Sequence, residues 1–168
     1  MRRLIWAGLL ALAACSPRPE TATAPTALRD TKGWISSAVL FDPQRFAGRW
    51  HVAESGVPGC AGAAQTWAWD GRGFALSGVD CSGRRPAHLS GRLDLTGPGG
   101  RMTPQGAFGG DPVWVLWVDQ DYRTAVLGTP SGRFGMVISR DLPARGDLLV
   151  AARRVLDFNA YDVRRIGR

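Results

Sequence analysis

The stretch FDPQRFAGRWHVAE, residues 41–54, stands where a segment rich in proline and threonine gives way to alternating apolar and polar side chains. Gly48 and Trp50 head that alternation, which predicts a strand over 48–56. Short runs rich in Val, Leu, Trp and Phe follow at 64–70, 73–80, 87–95, 101–106, 113–119, 122–128 and 133–140. Turn chemistry separates them: DGRG (70–73), CSGRRP (81–86), TGPGG (96–100), GGDP (109–112), DQD (119–121) and TPSG (129–132). Eight consecutive strands joined by short turns suffice to close an antiparallel up-and-down β-barrel, which removes the sheet edges and leaves room inside for one small ligand. A two-sheet sandwich is the rival. It calls for Greek-key crossovers, and no connection after the first strand is obviously long enough for one.

The pattern changes after Pro143. GDLLVAARRVL (146–156) puts Leu148, Ala152 and Val155 on one helical face with Leu149 and Leu156 beside it, while Arg153 and Arg154 point away. One amphipathic helix packed outside the barrel is expected, followed by YDVRR (161–165) as a short terminal strand.

Upstream, MRRLIWAGLLALAA (1–14) sets two arginines before an apolar run that ends in small residues, the pattern of a secretory signal. That run falls short of the roughly twenty apolar residues a bilayer span needs. LAAC (12–15) resembles a bacterial lipoprotein lipobox, which implies acylation at Cys15; cleavage after Ala13 is the alternative. An odd cysteine in an exported chain needs an explanation, and lipidation of Cys15 leaves Cys60 and Cys81 as a pair able to form a disulfide. Several acyl chains anchor a protein stably, where one gives only marginal binding. Ser16 stands where aspartate favours inner-membrane retention in enterobacteria, so the reading leans to an outer-membrane protein facing the periplasm. The segment 16–32 lacks periodicity and reads as a tether. The expected organisation is therefore signal peptide 1–14, lipidated N-terminus and tether 15–32, and one folded domain 33–168.

The formal net charge of +7 comes almost wholly from scattered arginines rather than runs. Nucleic-acid binding calls for clustering, and none is expected. His51 and His88 are the two histidines, without metal-ligand spacing, and no serine sits in a nucleophile-elbow motif. A free thiol at Cys60 or Cys81 is the one candidate nucleophile, and a disulfide removes it. Neither enzymatic activity, nor a cofactor, nor a metal is expected.

Three motifs then fall into line. FAGRWHVAE (46–54) resembles the G-x-W motif opening the first lipocalin strand, DQDYRTAVLG (119–128) the second motif, and MVISRDLP (136–143) the third. Their order and spacing, with the lipobox, resemble the bacterial outer-membrane lipocalins related to apolipoprotein D, over residues 41–166. The resemblance implies an eight-stranded barrel with a C-terminal helix, and a closed end built from Gly48, Trp50, Tyr122 and Arg140, with Arg140 lying over the Trp50 ring. It also implies that a disulfide between Cys60 and Cys81 would staple the mouth. Its register turns Val115 and Trp117 inward, together with Phe134, Met136 and Ile138; Trp67 and Trp69 share a face of uncertain direction. These apolar side chains are candidate ligand contacts or simply packed core. Glu54, His51 or an arginine near the mouth are the candidate head-group contacts. The implied function is a membrane-anchored protein binding a fatty acid, lysophospholipid or similar amphiphile for lipid storage or transport in the cell envelope. A lipid-modifying enzyme and a non-binding envelope scaffold are the alternatives.

Overall fold

The computed structural model describes residues 27–167, so the signal peptide, Cys15 and most of the expected tether lie outside the described residues. Eight antiparallel strands close into a single barrel in sequence order: β1 Gly48–Ser55, β2 Ala64–Trp69, β3 Gly73–Asp80, β4 Ala87–Leu95, β5 Gly100–Gln105, β6 Val113–Val118, β7 Thr124–Gly128 and β8 Gly135–Ser139. β8 returns to pair with β1, His51 opposite Ser139 and Val52 opposite Ile138, so no sheet edge is left open. The barrel, not the sandwich, is the architecture.

Alternation along these strands yields two apolar clusters. Inside the barrel lie Trp50, Val52, Trp67, Phe74, Leu89, Leu93, Met102, Val113, Val115, Leu127, Met136 and Ile138. Outside, Leu116, Val126 and Val137 receive the helix α2, Gly146–Phe158, through Leu149, Ala152 and Leu156. The helix thus buries a stripe rotated slightly from the expected one, since Leu148 is only half-buried and Leu149 takes its place.

A short helix α1, Pro43–Phe46, precedes β1; its N-cap is Asp42, whose carboxylate accepts from the Gln44 and Arg45 amides, and Pro43 supplies a preset φ at the first position. The N-terminal segment differs from a free tether up to residue 32. Leu28 and Arg29 are buried, the Leu28 amide bonds to the Gly132 carbonyl, and the Arg29 guanidinium donates to the carbonyls of Asn159, Pro130, Gly33 and Trp34. An arginine with five donors can tie chain termini together in a way that composition does not announce.

The terminal segment is not the expected strand over 161–165. Tyr161 makes a single bridge to Arg29, Val163–Arg165 turns as a 3-10 helix capped by Asp162, and Gly167 bridges to Ser55. The side chain of Asp162 bonds its own local backbone at Arg164, which competes with strand pairing.

Candidate functional site

The closed end is built around Trp50. Its indole Nε1 donates to the Phe46 carbonyl at 2.8 Å, and the Arg140 guanidinium carbon lies 4.1 Å from its ring centre. Arg140 also donates to the carbonyls of Tyr122, Arg49, Arg45, Phe46 and Ala47, at 2.9 to 3.1 Å. Burial lowers its pKa, with the Arg123 charge adding to the effect. Gly48 has φ +114°, and a Cβ there would meet Arg140 Nη1 at 2.9 Å, so both the backbone and the close approach call for glycine. Tyr122 takes a left-handed φ of 56° and sits under the Arg45 guanidinium, 4.3 Å from its ring centre, while its hydroxyl accepts from the Asp42 amide. These residues hold the end shut.

The opposite end is the mouth. The loop after β1 carries Cys60, which is disulfide-bonded to Cys81 just past β3, and both are fully buried. The pair staples the mouth as expected and leaves no free thiol on either residue. Opposite it, the β5–β6 connection makes a 3-10 turn at Phe108–Gly110 that drives the Phe108 ring into the barrel, where it is fully buried. Phe108 was not among the expected contacts. A loop residue flanked by glycines carries no strand periodicity to mark its direction.

Between the two ends the interior is an unbroken series of rings. Phe46 lies 4.9 Å from Trp50 and 5.3 Å from Trp67, centre to centre; Trp67 lies 5.9 Å from Phe108; Phe108 stacks on Phe134 at 5.6 Å. Phe74 packs edge-on to both Phe46 and Trp67. Each spacing falls within the range in which aromatic pairs attract beyond their buried area. These rings follow one another along the barrel interior from Trp50 to Phe134. A polar side chain among them is Gln65, fully buried on the inward face of β2, whose amide donates to the Val79 carbonyl and accepts from Trp67 Nε1 at 3.4 Å.

The structure turns Trp67 and Trp69 inward, Trp69 half-buried against Phe74. Val115, Phe134 and Met136 are inward and fully buried. Trp117 is not. It faces out, beneath α2, because β6 bulges: Val115 pairs with Leu127 but Trp117 pairs with Val126, so Leu116 is an extra residue that flips the alternation. Val118 takes the inward position instead. A second bulge in β1, between Val52 and Glu54, turns Glu54 away from the interior. Its fully buried carboxylate pairs with Arg153 of α2, Arg153 Nε donating at 3.0 Å to one oxygen and Nη2 to the other. Glu54 is thus spent on holding the helix, and Arg153 does not point away as expected. His51 also faces outward, opposite Ser139 and beside the Gly62 carbonyl, so neither side chain faces the interior. Among the described residues no group of histidine, cysteine and carboxylate side chains is placed to hold a metal, and no helix is long and apolar enough to cross a membrane.

Solved structures share this arrangement. Lipocalin 12 from rat epididymis superposes with a TM-score of 0.59 at 14% identity, over 79% of this chain and 87% of that one. The fold is that of the lipocalins. Lobster apocrustacyanin A1 (TM-score 0.55, 13% identity) and apocrustacyanin C1 (0.54, 14%) superpose over the same shares of each chain. Identities this low speak for the fold alone. No family model and no curated protein matches the sequence. The lipocalin architecture expected from the three motifs is the one found, with Trp50 and Arg140 in contact across 90 residues of chain as the resemblance implies. Lipocalin barrels enclose an interior suited in general to a small hydrophobic molecule.

Proposed function

We propose that this protein is a membrane-tethered lipocalin that takes a small hydrophobic molecule into its aromatic interior and serves lipid storage or transfer in the bacterial cell envelope. The observation that carries this reading is the composition of the inward face, apolar and aromatic from Trp50 to Phe134 with Gln65 as an interior polar group. Sites for hydrophobic molecules have that make-up, a mostly apolar lining with a few placed polar groups. The lipobox-like residues 12–15 support acylation at Cys15 and hence tethering, and Ser16 supports the outer membrane. Binding is favoured over catalysis because the disulfide between Cys60 and Cys81 uses both candidate nucleophiles.

One observation favours a second reading, a non-binding envelope scaffold: the ring series from Trp50 to Phe134 packs ring against ring along the interior. Titration of the mature protein with a fluorescent single-chain fatty acid separates the two. Saturable one-to-one binding supports the carrier, and no binding at micromolar concentrations supports the scaffold. Fractionation of cells expressing Cys15→Ala tests the tether, since the variant is expected to leave the membrane fraction.

A further inference from the structure

The ring that closes the mouth differs from its neighbours in how it is held. Trp67 and Phe134 project from or beside barrel strands, whereas Phe108 comes from the β5–β6 connection, with Gly106 at φ +77° and Gly110 at φ +81° on either side. A Cβ added to either glycine would meet open space, so nothing packs the connection at those points. Phe108 itself has φ +49°, a conformation that residues with side chains adopt rarely and only when the surroundings enforce it. What enforces it is the burial of the ring between Trp67 and Phe134, and a polar clasp to the neighbouring β7–β8 turn. The Asp111 carboxylate oxygen Oδ2 accepts from Ser131 Oγ and from Arg133 Nε, each at 2.6 Å, and Arg133 Nη2 donates to the Gly109 carbonyl at 3.1 Å. Arg133 is two-fifths exposed, so water competes for the clasp.

A side chain packed like core, yet mounted on a strained connection with glycine hinges and a solvent-side clasp, fits a removable plug. On the reading of the barrel as a carrier, we infer that Phe108 occupies the ligand's own place, so that binding swings its ring out and the ligand takes the gap between Trp67 and Phe134. Relief of the backbone strain at Phe108 offsets part of the burial it gives up. The vacated space sets the ligand class. A gap left by one phenyl ring admits a guest of about that cross-section, so the barrel accepts one flat ring or the terminal segment of one acyl chain there, whereas the paired chains of a two-chain lipid do not fit.

The test compares the wild-type protein with Phe108→Ala, using dansyl-labelled undecanoic acid and a dansyl-labelled two-chain phospholipid as probes, with folding checked by circular dichroism. Removing the plug is expected to tighten binding of the fatty acid by about tenfold or more, since the competent state no longer has to be populated at the ring's expense, and to leave the phospholipid unbound. Equal fatty-acid affinity in both proteins overturns the role of Phe108 while leaving the carrier reading intact, and so does an equal gain for the phospholipid. Binding by Phe108→Ala alone overturns the inference, since the ring is then a fixed part of a closed barrel rather than a group the ligand displaces. Failure of both proteins to bind overturns plug and carrier together. Should Phe108→Ala not fold, Arg133→Met loosens the clasp without touching the core, and is expected to raise the association rate several-fold; an unchanged rate overturns the inference.

Discussion

The Arg140 guanidinium lies over the Trp50 ring, 4.1 Å from its centre, while donating to five backbone carbonyls drawn from α1 and its C-cap, β1 and the turn before β7. One planar group thus joins the entering segment, the first strand and the last. Lysine has a point charge and three donors and cannot reproduce that stack. Arg140→Lys is expected to cost roughly 2 kcal/mol, from the lost cation–π contact and hydrogen bonds. Calorimetry is expected to show a melting temperature lower by about 5 °C, with ligand affinity per folded molecule nearly unchanged. A large affinity loss without a change in melting would place Trp50 in the binding site instead.

Glu54 is fully buried and its carboxylate is held by Arg153, which is half-exposed. Removing the arginine strands a charge beneath α2, whereas replacing both residues restores an apolar contact. Arg153→Met is expected to destabilise the protein by about 2 to 3 kcal/mol, less than for a fully enclosed pair because one partner meets water. The double variant Glu54→Met, Arg153→Met is expected to unfold within about 1 kcal/mol of wild type in urea titration.

Burial pushes the Tyr161 phenol up to about 12, against an ordinary value of about 10, partly offset by its hydrogen bond with Thr129 and by the nearby Arg29 charge. The hydroxyl shares its one proton between the Thr129 and Phe134 carbonyls and accepts from the Thr129 amide, pinning the C-terminal segment to the β7–β8 hairpin. The folded state favours the protonated phenol. Its contribution is complete below pH 10 and is lost as the unfolded chain ionises and the pH rises towards 12, by about 1.4 kcal/mol per pH unit. Tyr161→Phe is therefore expected to flatten the alkaline branch of the stability curve between pH 10 and 12.

The disulfide joining Cys60 to Cys81 closes a separation of 21 residues at the mouth. Loss of such a link costs about 3 kcal/mol. Cys60→Ser with Cys81→Ser is expected to lower stability by that amount, and alkylation of the unreduced wild-type protein to label neither cysteine.

The barrel was legible because closure depends on strand count and turn chemistry, and the three motifs place Trp50, Tyr122 and Arg140 at one end, where they are found. The directions of single side chains were legible only where strict alternation holds. It holds through β8, so Phe134, Met136 and Ile138 face in as expected. It fails in β6, where the extra residue Leu116 turns Trp117 out under α2, and in β1, where Ala53 does the same to Glu54. A bulge leaves composition unchanged and shifts every residue after it by one face. Phe108 was hidden for a related reason, since it fills the mouth from a glycine-flanked turn rather than from a strand.

Native mass spectrometry of the full protein, purified gently from the envelope, tests most directly the claim that the aromatic barrel carries a hydrophobic molecule. The account predicts a population heavier than the acylated polypeptide by the mass of one single-chain lipid or flat aromatic compound, released on unfolding. A single species at the mass of the polypeptide and its acyl groups, together with no uptake of added fatty acid, would contradict it.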